Sequence, residues 1–212
     1  EKTSLEENHK RLKSCPLLKR MSGVIKQFRR RILKRDKIGK WVKHYIQPGN
    51  ILDVGCGTGH VLENLPENYH PYGIEISKNL AKLSRERVER RGGIIVHANA
   101  IDGITSFSQE FFSGILLSSF LEHESDPGKL LRTLYPVLRK DAGIIIKVPN
   151  YSSWNRKFRG SNWCGFRYPD HVNYFTPHTL NKLVQDCGYR IGRFNFIDYF
   201  PLSDNMWMLI QK

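Results

Sequence analysis

Residues 51–60 read ILDVGCGTGH: an apolar run, an acid at Asp53, then glycines at every second position, Gly55, Gly57 and Gly59. The run is short and stops at glycine, which fits a buried strand feeding a tight turn. A turn this bare lets the backbone approach a ligand closely. One class of such turns, G-x-G-x-x-G, seats a pyrophosphate and needs its third glycine for helix–strand packing. Gly55 and Gly57 fit the first two positions here, but His60 occupies the third. Asp53 is the second clue, because a carboxylate beside a pyrophosphate would repel it. The same carboxylate would favour a ligand bearing an ammonium or sulfonium charge. A plain tight turn, with Asp53 capping its own backbone, is the competing explanation.

The rest of the chain alternates between two periods. "YGIEI", "IIVHANA", "FFSGILLSSF" and "GIIIKV" read as strands. Between them "HVLENL", residues 77–93 and residues 127–139 read as helices, with Ser77 as an N-cap, Gly92 as a stop and Pro136 expected to bend or shorten the third. The alternation predicts an α/β fold with a doubly wound, mostly parallel sheet. Residues 150–176 break the rhythm: they are long, aromatic and basic without a period, which predicts a functional loop inserted in the domain. A helix at "PHTLNKLVQDCG" and strands near "RIGRFNFID" and "MWMLIQK" complete the chain. Ahead of the glycine turn, Met21, Val24, Ile25, Phe28 and Ile32 form one helical stripe, and Ile38, Trp41, Val42 and Tyr45 a second that Pro48-Gly49 ends. The expected organisation is a basic helical segment over 1–47, serving as lid or cap, and a ligand-binding domain over 48–212.

Two further residues bear on the ligand. Glu75 ends the second strand, where a carboxylate can accept from both hydroxyls of a ribose. Asn99 and Ala100 end the third expected strand at the carboxyl edge of the sheet, and the Asn99 side-chain oxygen can accept from an adenine amino group. A nucleoside bearing a cationic amino acid, S-adenosylmethionine, suits the set. On "LDVGCGTG", "GIEIS", "ANAID", "LLSSFLEH" and "GIIIKVPN" the chain resembles the class I S-adenosylmethionine-dependent methyltransferases from about residue 48 to 212. "LEH" and "DHVNYFTPHTL" resemble the branch that holds ubiquinone-type O-methyltransferases and sugar methyltransferases. The resemblance implies a Rossmann-like, seven-stranded, mostly parallel sheet with the last strand antiparallel. It implies that Asp53 and the glycines Gly55, Gly57 and Gly59 hold the methionine part of the cofactor, Glu75 the ribose and Asn99 the adenine end; Cys56, Ile76, Ala100 and Ser118 are expected cofactor contacts beside them. The family usually has Asp at the position of Asn99, and "FSGI" replaces its commoner "FD-hydrophobic" start of the fourth strand. S-adenosylhomocysteine would be the product.

Methyl transfer from a sulfonium is an in-line displacement, so alignment is the main task, and an oxygen nucleophile also gains from a placed base. His123, just past the fourth strand, and His171, in the insert, are the expected bases, each with a structural role as the alternative. The resemblance to the ubiquinone-type enzymes suggests a divalent metal at Glu122 and His123, but two adjacent residues make a poor site, so no metal is expected. Trp163, Tyr168 and Tyr174 offer apolar walls and Arg167 an anion contact for the substrate, unless the aromatics only anchor the loop.

The formal net charge is +14, and residues 1–48 hold fifteen Lys/Arg against four Asp/Glu, so most of it sits ahead of the glycine turn. That segment would attract an anionic partner or simply keep the protein soluble. The apolar stretches are too short to span a bilayer, and no apolar leader precedes them, although the chain starts at Glu1 rather than Met. Four scattered cysteines without a Cys-x-x-Cys pair suit a reducing, cytoplasmic setting. The expected activity is therefore methyl transfer to a small molecule, with oxygen as the first acceptor and carbon or nitrogen behind it. The alternatives are a nucleic-acid methyltransferase that clamps phosphates with the basic helices, against which "SSFLEH" lacks the Asp/Asn-Pro-Pro-aromatic turn, and a methyltransferase-like domain without chemistry.

Overall fold

A computed structural model describes residues 37–212. The expected helix along Met21–Ile32, with its lid or cap role, lies outside them. Helix α1 (Lys37–Tyr45) precedes β1 (Gly49–Val54), α2 (His60–Glu63), β2 (Tyr69–Glu75), α3 (Lys78–Val88), β3 (Ile94–His97), α4 (Ala100–Thr105), β4 (Phe112–Ser118), α5 (Pro127–Val137) and β5 (Leu138–Pro149). Then come α6 (Trp154–Arg159), α7 (Pro177–Asp186), β6 (Arg190–Arg193) and β7 (Asn205–Gln211). The seven strands form one sheet in the order β3-β2-β1-β4-β5-β7-β6. Only β7 runs antiparallel to its neighbours, as the resemblance implied.

Alternation of side chains sends two apolar layers to opposite faces. Leu52, Ile115, Leu117, Ile144 and Ile146 join Ile104 of α4, Leu130 and Leu134 of α5, and Leu180 and Val184 of α7. Ile51, Leu116, Ile145, Trp207 and Leu209 join Trp41 and Val42 of α1, Leu62 of α2, and Ala81 and Val88 of α3. Helices thus cover both faces, which is why β1 and β4 read as continuous apolar runs. The compact unit begins at Ile38, ahead of the expected boundary at residue 48. The reason is the second stripe itself: its tryptophan and valine are core residues, and Tyr69 Oη donates to the Ile46 carbonyl at 2.9 Å, tying the end of α1 to β2.

Local chemistry sets the element ends. Asp126 accepts from Lys129 N to cap α5, and Pro136 closes that helix one residue before its end instead of kinking its middle. Thr176 and Thr179 form a capping box ahead of α7. Two expected elements differ. The third strand stops at His97 because Asn99 caps α4. The expected strand over "RIGRFNFID" stops at Arg193 because Asn195 and Asp198 cap a 3-10 turn over Phe196–Tyr199, and Arg193 pairs with Asp198 at 3.0 Å.

The order around β1 fixes where a ligand can sit. Chain progression runs outward from β1 through β2 to β3, then returns to β4 on the other side. The crevice past the carboxyl ends of β1 and β4 is the switch point at which open α/β sheets bind ligands. The buried Tyr69 hydroxyl tests the packing that holds one wall: Tyr69→Phe leaves the Ile46 carbonyl unpaired and should cost about 1–2 kcal/mol in urea unfolding.

Candidate active site

The glycine turn leaves β1 with its backbone pinned. Gly55 N and Cys56 N both donate to the Ile74 carbonyl of β2, at 2.8 and 3.1 Å. Glu75, at the end of β2, accepts from Gly57 N through Oε2 at 2.8 Å and from Ser77 N through Oε1 at 2.9 Å. Its carboxylate is thus the joint between the turn and the start of α3. Gly57 takes φ +55 and has nothing within 4 Å of where a Cβ would stand, so its bare face looks onto open space. Gly55 has a different reason to be glycine: a Cβ there would lie 2.4 Å from the Phe120 ring. Gly59 makes room for Ser84 of α3.

Asp53 is buried at the end of β1. Burial first, and the Glu75 charge second, push its carboxyl up to about 7. Cys56 is also buried, which pushes its thiol up to about 12 despite a contact with Ser84 Oγ, so it stands as a neutral thiol. Ile76 is 70 % exposed beside Glu75, an uncovered apolar side chain at the crevice edge. Asn99 is exposed, and its side-chain oxygen already accepts from Asp102 N at 3.0 Å while its amide donates to Asp102 Oδ2. Its capping of α4 was not anticipated from the sequence, although an Asn three residues before an acid carries that signal. Ala100 opens α4, and Ser118 ends β4 half-buried.

Past β4 the structure brings three predicted residues together. The rings of His123 and His171 lie 4.7 Å apart, edge to face. With Glu122, each offers one donor atom, all within 4.8 Å of one another. His123 Nδ1 is 2.8 Å from the Asp170 carbonyl, and His171 Nδ1 is 2.8 Å from the Gly165 carbonyl. A carbonyl only accepts, so both Nδ1 atoms carry hydrogens and each neutral ring keeps its lone pair on Nε2. Burial lowers the His171 pKa, which favours that neutral form. Glu122 is buried and its Oε2 has no hydrogen-bond partner; burial raises its pKa, against weaker pulls from His123, Lys147 and Arg167.

The insert is stitched to this turn. Val172 N and Asn173 N donate to the Glu122 carbonyl, and Asn173 Nδ2 donates to the carbonyls of Leu121 and Glu124. Trp163 does not line the crevice. It is buried with its indole N–H on Asp204 Oδ1 at 2.8 Å, because an apolar ring with one donor is most stable as an anchor whose donor is satisfied. Tyr174 is half-buried against Tyr151 and Phe166, whereas Arg167 and Tyr168 are exposed. Phe120 and Lys147, which donates to Ser119 Oγ at 2.9 Å, are neighbours of the site that the sequence reading did not single out.

Known proteins resemble this chain in sequence and in fold. The family described as "Methyltransferase domain" matches residues 17–192. A demethylmenaquinone methyltransferase of Listeria welshimeri is 29 % identical over 178 residues, covering 78 % of this chain and 72 % of the relative. A ubiquinone biosynthesis O-methyltransferase of Aeromonas salmonicida is 23 % identical over 162 residues, covering 73 % and 68 %. The crystal structure of a SAM-dependent methyltransferase from Archaeoglobus fulgidus superposes with a TM-score of 0.68 at 19 % identity, over 88 % of this chain and 98 % of that one.

The contact between Phe120 and Gly55 gives a direct check of the turn. Gly55→Ala should destabilise by about 2–4 kcal/mol, from left-handed strain plus overpacking. In a Phe120→Ala background only the strain remains, so the same change should cost about 1–2 kcal/mol. Urea unfolding of the four variants in a double-mutant cycle reads the difference.

Proposed function

The chain belongs to the methyltransferase-domain family, and from that premise we propose that it transfers the methyl group of S-adenosylmethionine to an oxygen of a small-molecule acceptor. The observation that carries the reading is the buried Asp53 beside an open glycine turn: a carboxylate held against its preference for water gains most from a cationic ligand. In this proposal Gly55, Cys56 and Gly57 face the methionine part, and Asp53 answers its positive charge. Glu75 spends one lone pair of Oε2 on the turn and one of Oε1 on Ser77 N, and offers the others to the ribose hydroxyls. Ile76 covers the adenine, and the Asn99 oxygen, with one lone pair on Asp102 N, offers its second to the amino group. Gly59 and Ala100 shape the two helix starts around the ligand, and Ser118, at the end of β4, completes the cofactor contacts.

In this proposal His123 and His171, just past β4 and in the insert, offer two lone pairs on the side where an acceptor hydroxyl is activated. This supports an oxygen acceptor, and the name of the Aeromonas relative points the same way. Exposed Arg167 and Tyr168, with half-buried Tyr174, are the proposed substrate contacts. As the methyl–oxygen bond forms, the sulfur–carbon bond breaks with its electron pair going to sulfur. The acceptor's proton leaves, and S-adenosylhomocysteine remains.

Asp53 makes the cofactor step pH-dependent. Its pKa rises from 3.8 to about 7 on folding. Its contribution to the stability of the free protein is therefore fully present below pH 3.8 and is lost as pH rises through about 7. Cation binding needs the charged form, so affinity runs the other way. Titration calorimetry should show S-adenosylmethionine binding more tightly as pH rises from about 6 to 8, with up to about tenfold per unit below the Asp53 pKa and a proton released on binding. Asp53→Asn should flatten that profile and weaken binding about ten- to hundredfold at the alkaline end. No binding at high micromolar cofactor at any of these pH values would overturn the reading.

A further inference from the structure

We propose that Glu122, His123 and His171 form a binding site for one divalent first-row transition ion of the zinc type, and that this ion takes the acceptor's hydroxyl oxygen. The inference deepens the methyltransferase reading and rests on it only for the second half.

Two ligands adjacent in sequence could not make such a site. The fold adds the third, His171, from the insert, and places one donor atom of each residue within 4.8 Å of the others. The set is two imidazoles and a carboxylate, a donor mixture that suits zinc, iron or cobalt better than magnesium or calcium, which prefer all-oxygen shells. Three protein ligands leave coordination positions open, the arrangement of a catalytic rather than a structural site.

Three independent features point to an ion. Glu122 is buried at 1 % exposure with Oε2 unpartnered, although an orphaned carboxylate oxygen is costly to bury. Both histidines donate Nδ1–H to backbone carbonyls, which fixes the rings and leaves the second nitrogen as the donor atom, as in histidines that ligate metals. The ring edges are held near each other by bonds that stitch residues 170–173 to the Leu121–Glu124 turn. A tetrahedral ion at about 2.1 Å from each ligand needs ligand atoms about 3.4 Å apart, so the side chains close by an ångström or so on binding. Lys147 and Arg167 are the cations nearest in influence to Glu122; Lys147 is engaged by Ser119 Oγ, and among the described residues neither forms an ion pair with Glu122.

Position gives the ion its use. Phe120, two residues before Glu122, has its ring against Gly55 of the cofactor turn, so the ligand set borders the same crevice. A hydroxyl oxygen on the ion loses its proton to solvent more readily. The oxygen then attacks the methyl carbon, the carbon–sulfur bond breaks, and the pair stays on sulfur. The two histidine lone pairs hold the cation instead of receiving the proton.

The test uses untagged full chain stripped with a chelator, titrated with Zn2+ by calorimetry and with Co2+ by visible absorption, without acceptor. One ion per chain is expected, with cobalt bands typical of low coordination number. Glu122→Gln and His123→Asn should each weaken Zn2+ binding about a hundredfold or more, and His178→Gln, a histidine outside the cluster, should leave it unchanged. His123 is exposed, so its variant keeps the test alive if Glu122→Gln fails to fold. Equal Zn2+ affinity in wild type and both cluster variants, or no stoichiometric binding, would overturn the site. Cofactor binding is followed in parallel: loss of S-adenosylmethionine binding with intact Zn2+ binding would sink the methyltransferase reading and leave the ion site standing. If both ligands bind but chelation leaves methyl transfer to a hydroxyl acceptor untouched, the ion's part in the reaction is overturned.

Discussion

The carboxylate of Glu75 is the contact on which the crevice depends. One oxygen holds Gly57 N and the other Ser77 N, so the same side chain fixes the glycine turn after β1 and the entry to α3 after β2. Charge-assisted bonds of this kind are short and directional. Without this anchor the turn would lose its hold at Gly57 and keep Gly55 N and Cys56 N on the Ile74 carbonyl, Gly59 N on the Cys56 carbonyl and Arg87 on Thr58 Oγ1. Gly57 would then be free to move its open face away from any ligand. The parallel register of β1 and β2, which sets Asp53 opposite Gly73 and Val54 opposite Ile74, delivers Glu75 to that place.

The same arrangement has an electrostatic cost. Burying Asp53, and placing Glu75 of the neighbouring strand near it, puts two acids at one edge of the sheet, and Asp53 answers by holding its proton to about 7. A free protein built this way is less stable at neutral pH than its packing alone would make it. A ligand with a positive charge offsets that cost on binding, so affinity and folding draw on one carboxylate. A pyrophosphate would add to the cost, which is the physical ground for preferring a sulfonium nucleoside over a dinucleotide.

Much of this was legible in the chain because it is local. The Gly55–Gly59 turn, the burial of β1 and β4, the Ser77 cap and the closing of α5 near Pro136 all follow from residues within a few positions of each other. What the chain concealed was long-range or competing. Asn99 reads equally as a ligand acceptor and as a helix cap, and the structure commits one lone pair to the cap. Trp163 looks like a substrate wall until the fold brings Asp204 to its indole. The 3-10 turn over Phe196–Tyr199 interrupts an apolar pattern that periodicity alone extends as strand, because the Asp198 carboxylate offers the backbone a local alternative.

The histidine pair shows the limit most directly. His123 and His171 are separated by an insert with no sequence period, and nothing in their neighbours announces that their rings meet. The meeting is made by Asn173, whose backbone and side chain together reach the carbonyls of Leu121, Glu122 and Glu124, and by Val172 on the same Glu122 carbonyl. These bonds give partners to the Glu122 and Glu124 carbonyls and add a second to the Leu121 carbonyl, so they stabilise the turn whether or not a ligand is present. Preorganisation follows: the residues that would meet an acceptor are held by main-chain bonds rather than by the acceptor itself. An insert fastened in this way is less a lid than a wall. The exposed Arg167 and Tyr168 lie just ahead of the stitched segment, where changes of side chain disturb neither the sheet nor the glycine turn.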